Sequence, residues 1–410
     1  MSISNRNPYT PGAAHAPPYL AGRDDERHAF RRLLEQDVIL ENVVLSGVRG
    51  IGKTVLLREF YKRDALESGW LWAESDVSES VSFSESQLLT RIFTDLGVIT
   101  GSWVVKHEEF SGIGFNPVSK TREIRADSRF WQNIADNTPG LNSDKLKKVL
   151  MLAWQLMQTH QPKKRGIVFA YDEAQNFDDN SARDQYPLSL LLEAFVFLQR
   201  QKIRFMLVLT GLPPLHSNLV AARTYAERMF RVVVLGHLSP AAADDAIMKP
   251  LSKSEPHIRS YFESIKEILY DFTGGYPYFI QYWCYALYDH VMSAPTDINI
   301  NIVKDIRERL DSDFFAARWA KLTDRQRDLL LAAANVSSRN DTGEFSVQAT
   351  VSESGKLPQP FKPSHANQML TELAEKGMVF KSRHGKYFFA VPMLGDYIRR
   401  RHAGDFGAAE

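Results

Sequence analysis

Residues Gly47 to Thr54 read Gly-Val-Arg-Gly-Ile-Gly-Lys-Thr, and this stretch decides the fold class of the 410-residue chain. The spacing is that of a phosphate-binding loop, in which glycines let successive backbone N–H groups turn toward a polyphosphate. Lys53 supplies a positive charge for the β- and γ-phosphates, and the Thr54 hydroxyl is a ligand for Mg²⁺. An apolar run precedes the loop and helix-favouring residues follow it, which is the context that the motif needs. The predicted nucleotide-binding residues are Gly47, Val48, Arg49, Gly50, Ile51, Gly52, Lys53, Thr54 and Val55.

A second candidate site ends an apolar run later in the chain, Gly166 to Glu173. A strand that is buried on both faces delivers its last residues to the carboxyl edge of a parallel sheet, where ligands of such sheets bind. Asp172 is predicted to hold Mg²⁺, directly or through water. Glu173 is predicted to orient and deprotonate the water that attacks a terminal phosphate.

Length and composition are those of a multidomain globular protein. Hydrophobic residues make up 44% and charged residues 24% of the chain, and 410 residues exceed one usual core, so two or three domains are expected. The net charge of +1 gives no global argument for nucleic acid or membranes. The one cysteine, Cys284, is predicted to be a buried thiol in a reducing cytosol. No apolar run approaches the ~20 residues that span a bilayer, and no signal peptide is evident, so we expect a cytoplasmic protein.

Strand and helix patterns alternate from the loop to about residue 237, which predicts a doubly wound, mostly parallel sheet. One interruption, about 101–141, fits no clean period and is predicted to be a β-hairpin plus loop inserted into the core domain. The pattern is wholly helical from Ser239 onward. It predicts a lid of three helices, Ala241 to Ser252, His257 to Phe272 and Tyr278 to His290, followed by a charged helix, Asn301 to Phe315.

Two motifs carry a resemblance to a known family. Leu20-Ala21-Gly22-Arg23-Asp24-Asp25-Glu26, shortly before the loop, resembles the box that opens the origin-recognition-type AAA+ ATPases and the related STAND ATPases. Asp172-Glu173-Ala174-Gln175-Asn176 is similar to the Walker B sequence of bacterial relatives. The resemblance implies an α/β P-loop NTPase fold of the AAA+ type, with ATP as the nucleotide and Gly22 and Arg23 beside the adenine. The residues alone indicate a helix start whose acidic side chains favour the helix dipole. The two interpretations are compatible, because the family uses such a helix start.

The resemblance also implies roles for residues at later strand and helix ends. Thr210 becomes a sensor of the γ-phosphate, and Arg228 or, second, Arg231 becomes an arginine finger for a neighbouring subunit. Pro277 becomes a lid contact with nucleotide. The alternatives stay open: a strand end for Thr210, surface or ion-pair arginines, and a glycine stop before a proline start at Gly274 to Pro277. No clear sensor-2 arginine begins a lid helix, which favours a slow nucleotide switch over a motor.

The last part of the chain is predicted to be a winged helix. Helices near 323–331 and 364–376 are separated by a polar excursion, Asn335 to Pro363, and two strands flank a basic turn, Ser382 to Gly385. Asn367 and Gln368 on the second helix, with Arg383 and Lys386 at the turn, are candidate DNA contacts, while a protein-docking role is the alternative. The predicted organisation is an irregular arm (1–18), an ATPase core (19–237), a lid (238–316) and a winged-helix domain (317–410).

The leading functional interpretation is an ATPase switch whose nucleotide state acts on the C-terminal module, in a homo-oligomer or with a protein partner. The alternative is a scaffold or DNA-bound regulator that holds ATP and barely hydrolyses it. A GTPase is disfavoured because Thr210-Gly211-Leu212-Pro213 stands where a guanine-reading Asn-Lys-x-Asp motif would follow the strand. A small-molecule kinase is disfavoured because Glu173 and a helical lid suit attack by water.

Overall fold

The structure is a computed structural model that describes residues 6–12, 15–77, 84–111, 118–177, 179–293, 300–339, 343–383, 385–391 and 393–407. Its contacts divide the chain into two compact units. The first, here called the sheet unit, comprises Arg23–Ser46 and Lys53–Val234. The second, the helical unit, comprises Met1–Gly22, Gly47–Gly52 and Leu235–Glu410. No helix in the described residues is long and apolar enough to cross a membrane.

Strands of the sheet unit form a central parallel sheet and a separate hairpin. They are β1 (Asn42–Ser46), β2 (Leu71–Asp76), β3 (Val104–Ser111), β4 (Val118–Arg125), β5 (Ile167–Asp172), β6 (Phe205–Gly211) and β7 (Phe230–Val234). The parallel sheet has the order β2-β5-β6-β1-β7. Its three middle strands, β5, β6 and β1, are buried at every residue, as expected for strands covered on both faces. The predicted doubly wound sheet is confirmed.

Helices of the sheet unit connect these strands. They are α1 (Asp24–Leu34), α2 (Lys53–Val55), α3 (Lys62–Glu67), α4 (Glu85–Thr100), α5 (Ser128–Asp136), α6 (Asn142–His160), α7 (Pro187–Arg200), α8 (Pro214–Ala222) and α9 (Ala226–Met229). A π-helical stretch, Leu56–Tyr61, joins α2 to α3. The phosphate-loop helix therefore runs from Lys53 to Glu67 without a break, and its wider turn places Leu56, Leu57 and Tyr61 in the core.

The insertion contains the predicted hairpin, β3 paired antiparallel with β4, but part of the predicted loop is wrong. Residues Ser128–Asp136 form α5, whose first turn is capped when the Asp127 carboxylate accepts the Phe130 N–H at 2.9 Å. Trp131 is fully buried and its indole donates to Thr100 Oγ1 at 2.9 Å. The buried tryptophan and the capped first turn stabilise this helix. The helix is too short for a 3.6-residue pattern of apolar residues to be recognised in the sequence. The hairpin tip, 112–117, lies outside the described residues.

A buried carboxylate fixes α1 against the phosphate-loop helix. Asp64 is 1% exposed and accepts hydrogen bonds from Arg27 at 2.9 and 3.1 Å and from Arg31 at 2.7 Å. Burial by itself raises the pKa of Asp64, but the two guanidinium groups outweigh it and the pKa lies below its usual value. The contact therefore anchors the helix that begins directly after Arg23.

We expect Asp64→Asn to lower the free energy of unfolding by about 3 kcal/mol. This value is at the lower end of the range for breaking a buried ion pair, because the Arg31 side chain is half exposed. The native pKa is lowered, so the stabilisation is present above pH ~4 and is lost as the pH falls through the native pKa. Urea unfolding at pH 7 measures the loss. Glu59→Gln, at an exposed carboxylate of the same helix, is the matched control; equal stability of the two variants would contradict this assignment.

The helical unit contains the lid and the C-terminal part of the chain. Its elements are α10 (Pro240–Met248), α11 (Pro256–Thr273), α12 (Pro277–Ser293), α13 (Ile300–Leu310), α14 (Ala317–Ala320), α15 (Asp324–Ser337), β8 (Phe345–Ser346), α16 (Val347–Glu353), α17 (Pro363–Glu375), β9 (Val379–Arg383), β10 (Lys386–Phe389) and α18 (Leu394–Gly407). A π-helical stretch, Asp311–Ala316, precedes α14. The last three strands form a sheet of order β8-β10-β9.

The polar excursion, Asn335 to Pro363, has secondary structure that the sequence analysis did not predict. It contains β8 and α16, and the Ser346 side chain caps α16 by accepting the Ala349 N–H at 3.0 Å. Glu353, at the end of α16, pairs with Arg339 at 2.8 Å and with Lys356 at 2.9 Å. Capping and ion pairing thus order a stretch whose serines and threonines favour loops in isolation.

The N-terminal arm has neither helix nor strand in its described residues, but it is anchored to the lid. Tyr9 is 1% exposed; its hydroxyl donates to the Ile247 carbonyl at 2.6 Å, and its ring stacks on Phe262 at 5.8 Å between centroids. Burial raises the pKa of the Cys284 thiol beside it, in line with the predicted buried cysteine.

Candidate nucleotide-binding site

The glycines of the phosphate loop adopt backbone conformations that other residues avoid. Gly50 and Gly52 have φ of +77° and +98°. A Cβ at Gly50 would lie 2.7 Å from the Tyr276 hydroxyl oxygen and 3.1 Å from Tyr278 Cβ. Gly50 is therefore required both by its φ and by the close approach of two lid tyrosines. Ile51, at 1% exposure, anchors the loop.

In the sheet unit, the two predicted magnesium ligands, Thr54 and Asp172, are hydrogen-bonded to each other. The Thr54 hydroxyl, one residue into α2, donates to one carboxylate oxygen of Asp172 at 2.6 Å. The Thr210 hydroxyl donates to the other oxygen of the same carboxylate. Asp172 is 3% exposed. The geometry therefore places Thr54, Asp172 and Thr210 in one hydrogen-bonded group, because β5 and β6 end at the same edge of the sheet.

Glu173 lies directly beside this group, in a strained turn. Its φ of +54° is in the left-handed region, and its N–H donates to Asp172 Oδ1 at 2.9 Å. The Gln175 side-chain amide donates to the Glu173 carboxylate, and the Gln175 oxygen accepts the Leu212 N–H at 3.1 Å. A non-glycine residue in this conformation is rare and clusters at functional sites. Glu173 is thus held at the strand edge by a side chain that also contacts the chain after β6.

Gln175 and Arg58 are site residues that the sequence did not assign. Gln175 lies in the Walker B-like stretch, which was the available signal for it. Arg58 pairs with Asp76 at the end of β2. The negative charge of Asp172 makes a smaller favourable contribution to the protonated form of Arg58. Partial burial opposes protonation, but Asp76 outweighs it and the pKa of Arg58 is raised. A helical residue four positions after Thr54 carries no motif, so only the fold reveals Arg58.

The two residues proposed for the adenine are placed in different units. Gly22, in the helical unit, has φ of +59°, and a Cβ there would lie 2.5 Å from Ala242 Cβ, so the position needs glycine. Arg23, in the sheet unit, is 5% exposed and contacts Glu26 at 3.5 Å. Burial lowers the pKa of Arg23. Arg23 directly precedes α1, whose first turn is acidic, so the helix start that the residues also allowed is present.

The two finger candidates differ in their surroundings. Arg231 pairs with Glu41 at 2.7 Å. Arg228 is exposed on α9 and makes no side-chain hydrogen bond or ion pair with the part of the chain that the structure describes. Arg231 therefore makes an ion pair, as one of the alternatives expected, and Arg228 is exposed without one in the described residues.

The lid turn is built by two glycines before Pro277. Gly274 ends α11 with φ of +56°, and Gly275 follows with φ of +70°. The Gly275 carbonyl accepts the Leu238 N–H at 2.8 Å. Pro277 is the first residue of α12. The glycine stop and proline start are therefore both present, and they direct Tyr276 onto Gly50.

The candidate DNA contacts lie on α17 and at the β9–β10 turn. Asn367 and Gln368 are exposed. Lys386 pairs with Glu344 at 3.1 Å, which partly neutralises its charge. Arg383 is the last residue of β9, and His384 of the turn lies outside the described residues.

The donor set fits a magnesium nucleotide. Mg²⁺ prefers oxygen ligands and keeps waters or phosphates in its shell, so the hydroxyl of Thr54 and the carboxylate of Asp172 are suitable protein ligands. Lys53 is 6% exposed. Because water screens a buried charge only weakly, its attraction for a phosphate is strong. The order of the parallel strands is that of the α/β P-loop NTPase fold of the AAA+ type.

Comparison with known proteins supports that class. Residues 19–208 match the family described as AAA ATPase domain. Residues 312–398 match a domain of unknown function, DUF8462. No curated protein matches the chain. Residues 19–208 are therefore similar to an AAA ATPase domain.

Two solved structures are similar over nearly the whole chain. The Walker-type ATPase PABY2304 of Pyrococcus abyssi is 14% identical, with 93% of this chain and 96% of that chain covered and a TM-score of 0.54. The ORC2 protein of Aeropyrum pernix, solved in ADPNP–ADP complexes, is 14% identical, with 96% and 98% covered and a TM-score of 0.53. At this identity the likeness establishes the fold.

Proposed function

We propose that this chain binds ATP with Mg²⁺, hydrolyses it slowly, and uses the nucleotide state to control its C-terminal domain. The observation that carries the proposal is the group at the sheet edge, where Thr54 and Thr210 donate to one buried carboxylate and Glu173 follows it. The ATPase family match over residues 19–208 adds support. Mg²⁺-dependent release of phosphate from ATP, lost in EDTA, tests the activity.

Each residue has a role in this proposal. Lys53 and the loop N–H groups bind the phosphates, and Thr54 and Asp172 hold Mg²⁺, which offsets negative charge on the phosphates. Glu173 accepts a proton from water as the water oxygen bonds to the γ-phosphorus. The bond from that phosphorus to the β–γ bridging oxygen breaks, and ADP leaves with the electron pair. Thr210, whose hydroxyl donates to Asp172, is the proposed sensor of the γ-phosphate.

Gln175 gives this proposal a physical basis for slow turnover. It holds the Glu173 carboxylate by a hydrogen bond, and a carboxylate engaged in this way is a weaker base toward water. Release of that hydrogen bond would free Glu173 for catalysis. The alternative, a scaffold that retains ATP, corresponds to a Glu173 that stays held by Gln175 throughout.

We further propose that residues 317–410 are a winged-helix module. The supporting observation is the succession of α15, β8, α16, α17 and the β9–β10 hairpin around one three-stranded sheet. Exposed Asn367 and Gln368 on α17 are suitable for base edges, whereas the Lys386–Glu344 pair weakens the case for a phosphate contact. Protein docking or autoinhibition is the alternative for this module.

Binding of duplex DNA tests the first of these roles. We expect the double change Arg383→Ala/Lys386→Ala to weaken binding about tenfold at low salt and to reduce the dependence of log Kd on log salt by about 1 to 2. Fluorescence anisotropy across a salt series measures both quantities. Lys148→Ala, at an exposed lysine of α6, is the control. Identical curves for wild type and the double variant would remove the turn from any DNA role.

An arginine finger requires a neighbouring subunit. We propose Arg228 for this role because its side chain is exposed, whereas Arg231 is held by Glu41. Light scattering with ADP and with a non-hydrolysable ATP analogue tests the proposal. A monomer in both states would leave no neighbour for Arg228 to reach.

A further inference from the structure

Arg58 is the side chain near the candidate magnesium site to which the proposed function gives no role. It lies on the phosphate-loop helix, one turn after Thr54, and residues four apart on a helix lie on one face. Thr54 donates to Asp172 at the end of β5 at 2.6 Å, and Arg58 pairs with Asp76 at the end of β2. All four residues belong to the sheet unit. One face of the helix therefore contacts a carboxylate on each of two strands.

Those two carboxylates lie side by side at the edge of the sheet. The strands β2 and β5 are parallel neighbours, and Asp76 and Asp172 are partners in their register. Neighbouring strands are about 4.8 Å apart, and residues in register point to the same face of a sheet. Both side chains accordingly contact the same helix. Asp76 is therefore a second carboxylate at the edge where we propose that Mg²⁺ binds.

The partners of the two carboxylates differ in charge. Asp172 is buried and accepts hydrogen bonds from two hydroxyls, those of Thr54 and Thr210. Hydroxyl groups are neutral, so they leave the negative charge of a carboxylate uncompensated. Asp76 is exposed and pairs with a guanidinium, which is always charged. Arg58 thus offsets the charge of Asp76 but leaves Asp172 available to a cation.

We propose that Arg58 withholds Asp76 from the metal, so that the site without nucleotide offers Mg²⁺ a single carboxylate. This inference rests on the proposed magnesium site at Thr54 and Asp172. Magnesium sites of this kind complete their shell with phosphates of the substrate, and the described residues contain no group of three or more acidic, histidine or cysteine side chains that could hold a metal. Arg58 is a positioning residue that makes metal binding depend on the nucleotide.

The test is the affinity of the full chain for Mn²⁺ without nucleotide, measured by electron paramagnetic resonance of the unbound ion. Mn²⁺ takes the same oxygen ligands as Mg²⁺. We expect Arg58→Gln to bind Mn²⁺ about 3- to 10-fold more tightly than wild type, because the released carboxylate of Asp76 adds its attraction. Arg58→Met keeps an unbranched stem and should show the same gain if glutamine disturbs the helix. Arg58→Lys keeps the positive charge and should resemble wild type.

A second substitution identifies the source of the gain. The double change Arg58→Gln/Asp76→Asn should return the Mn²⁺ affinity to that of wild type, because both charges of the pair are absent. The matched control is Lys62→Gln, since Lys62 pairs with Glu74 on the same helix and strand at 2.7 Å. Glu74 lies two residues before the strand end, and the Trp72 indole also donates to it at 2.7 Å. This control should stay within about twofold of wild type.

Two results would overturn the inference. One is a Mn²⁺ affinity of Arg58→Gln and Arg58→Met that equals or falls below that of wild type. The other is a double variant that binds as tightly as Arg58→Gln, because the gain would then not come from Asp76. Adding ATP should strengthen Mn²⁺ binding to wild type. A wild-type chain on which ATP and Mn²⁺ together do not bind would overturn the proposed function instead, so the two failures are distinguishable.

Discussion

A chain that carries Lys53→Ala is expected to bind ATP at least about 100-fold more weakly than wild type, because charge-assisted contacts to two phosphates are lost together. Lys53 is almost fully buried at the start of α2, where water screens its charge little. Alanine is a strong helix former, so α2 should persist. Titration with a fluorescent ATP analogue measures the change.

The matched control for this variant is Lys148→Ala, because Lys148 is an exposed lysine in the same unit. It should bind ATP as wild type does. If Lys53→Ala retained affinity within about threefold, the phosphate-loop assignment would be wrong, and with it the nucleotide class.

The second large effect is expected at the proposed base. Glu173→Gln should bind ATP with nearly unchanged affinity but hydrolyse it about 10²- to 10⁴-fold more slowly. Glutamine has the shape of glutamate and can still accept a hydrogen bond from Gln175, but it cannot take a proton from water. Quenched-flow release of labelled phosphate measures the rate, and the exposed Glu35, changed to Gln, is the control. A variant as fast as wild type would remove Glu173 from the chemistry.

The central sheet and its site were predictable because their signals are local. Mainly apolar runs of five to seven residues indicate β1, β5 and β6, and parallel strands bring their carboxyl ends to one edge of the sheet. The apolar strand before Asp172 therefore predicted that this carboxylate lies at the edge of the sheet where ligands bind. In the structure, Thr54 of the phosphate-loop helix donates a hydrogen bond to Asp172.

Other parts depend on contacts that distant segments create. Helix α5 exists because Trp131 is buried against α4, and α16 because Arg339 and Lys356 pair with Glu353. Neither stretch has enough periodic apolar residues to be recognised as a helix alone. Tyr9 likewise sits in a polar, proline-rich arm whose composition gave no sign of a buried anchor.

The same limit applies to side chains around the site. Gln175 was visible within a family-like motif, but its link to Leu212 needed the fold. Sequence patterns identify residues that act through local geometry, whereas pairings across the fold become visible only in three dimensions.

We expect ATP bound at Gly47 to Thr54 to be hydrolysed, and a single-turnover experiment tests this most directly. Wild-type chain in excess over γ-labelled ATP and Mg²⁺ should release one phosphate for each ATP bound, and EDTA should abolish the release. ADP should remain in the complex after phosphate has left. Recovery of the bound nucleotide as intact ATP, with Mg²⁺ present and over hours, would contradict the claim and leave ATP as a structural ligand.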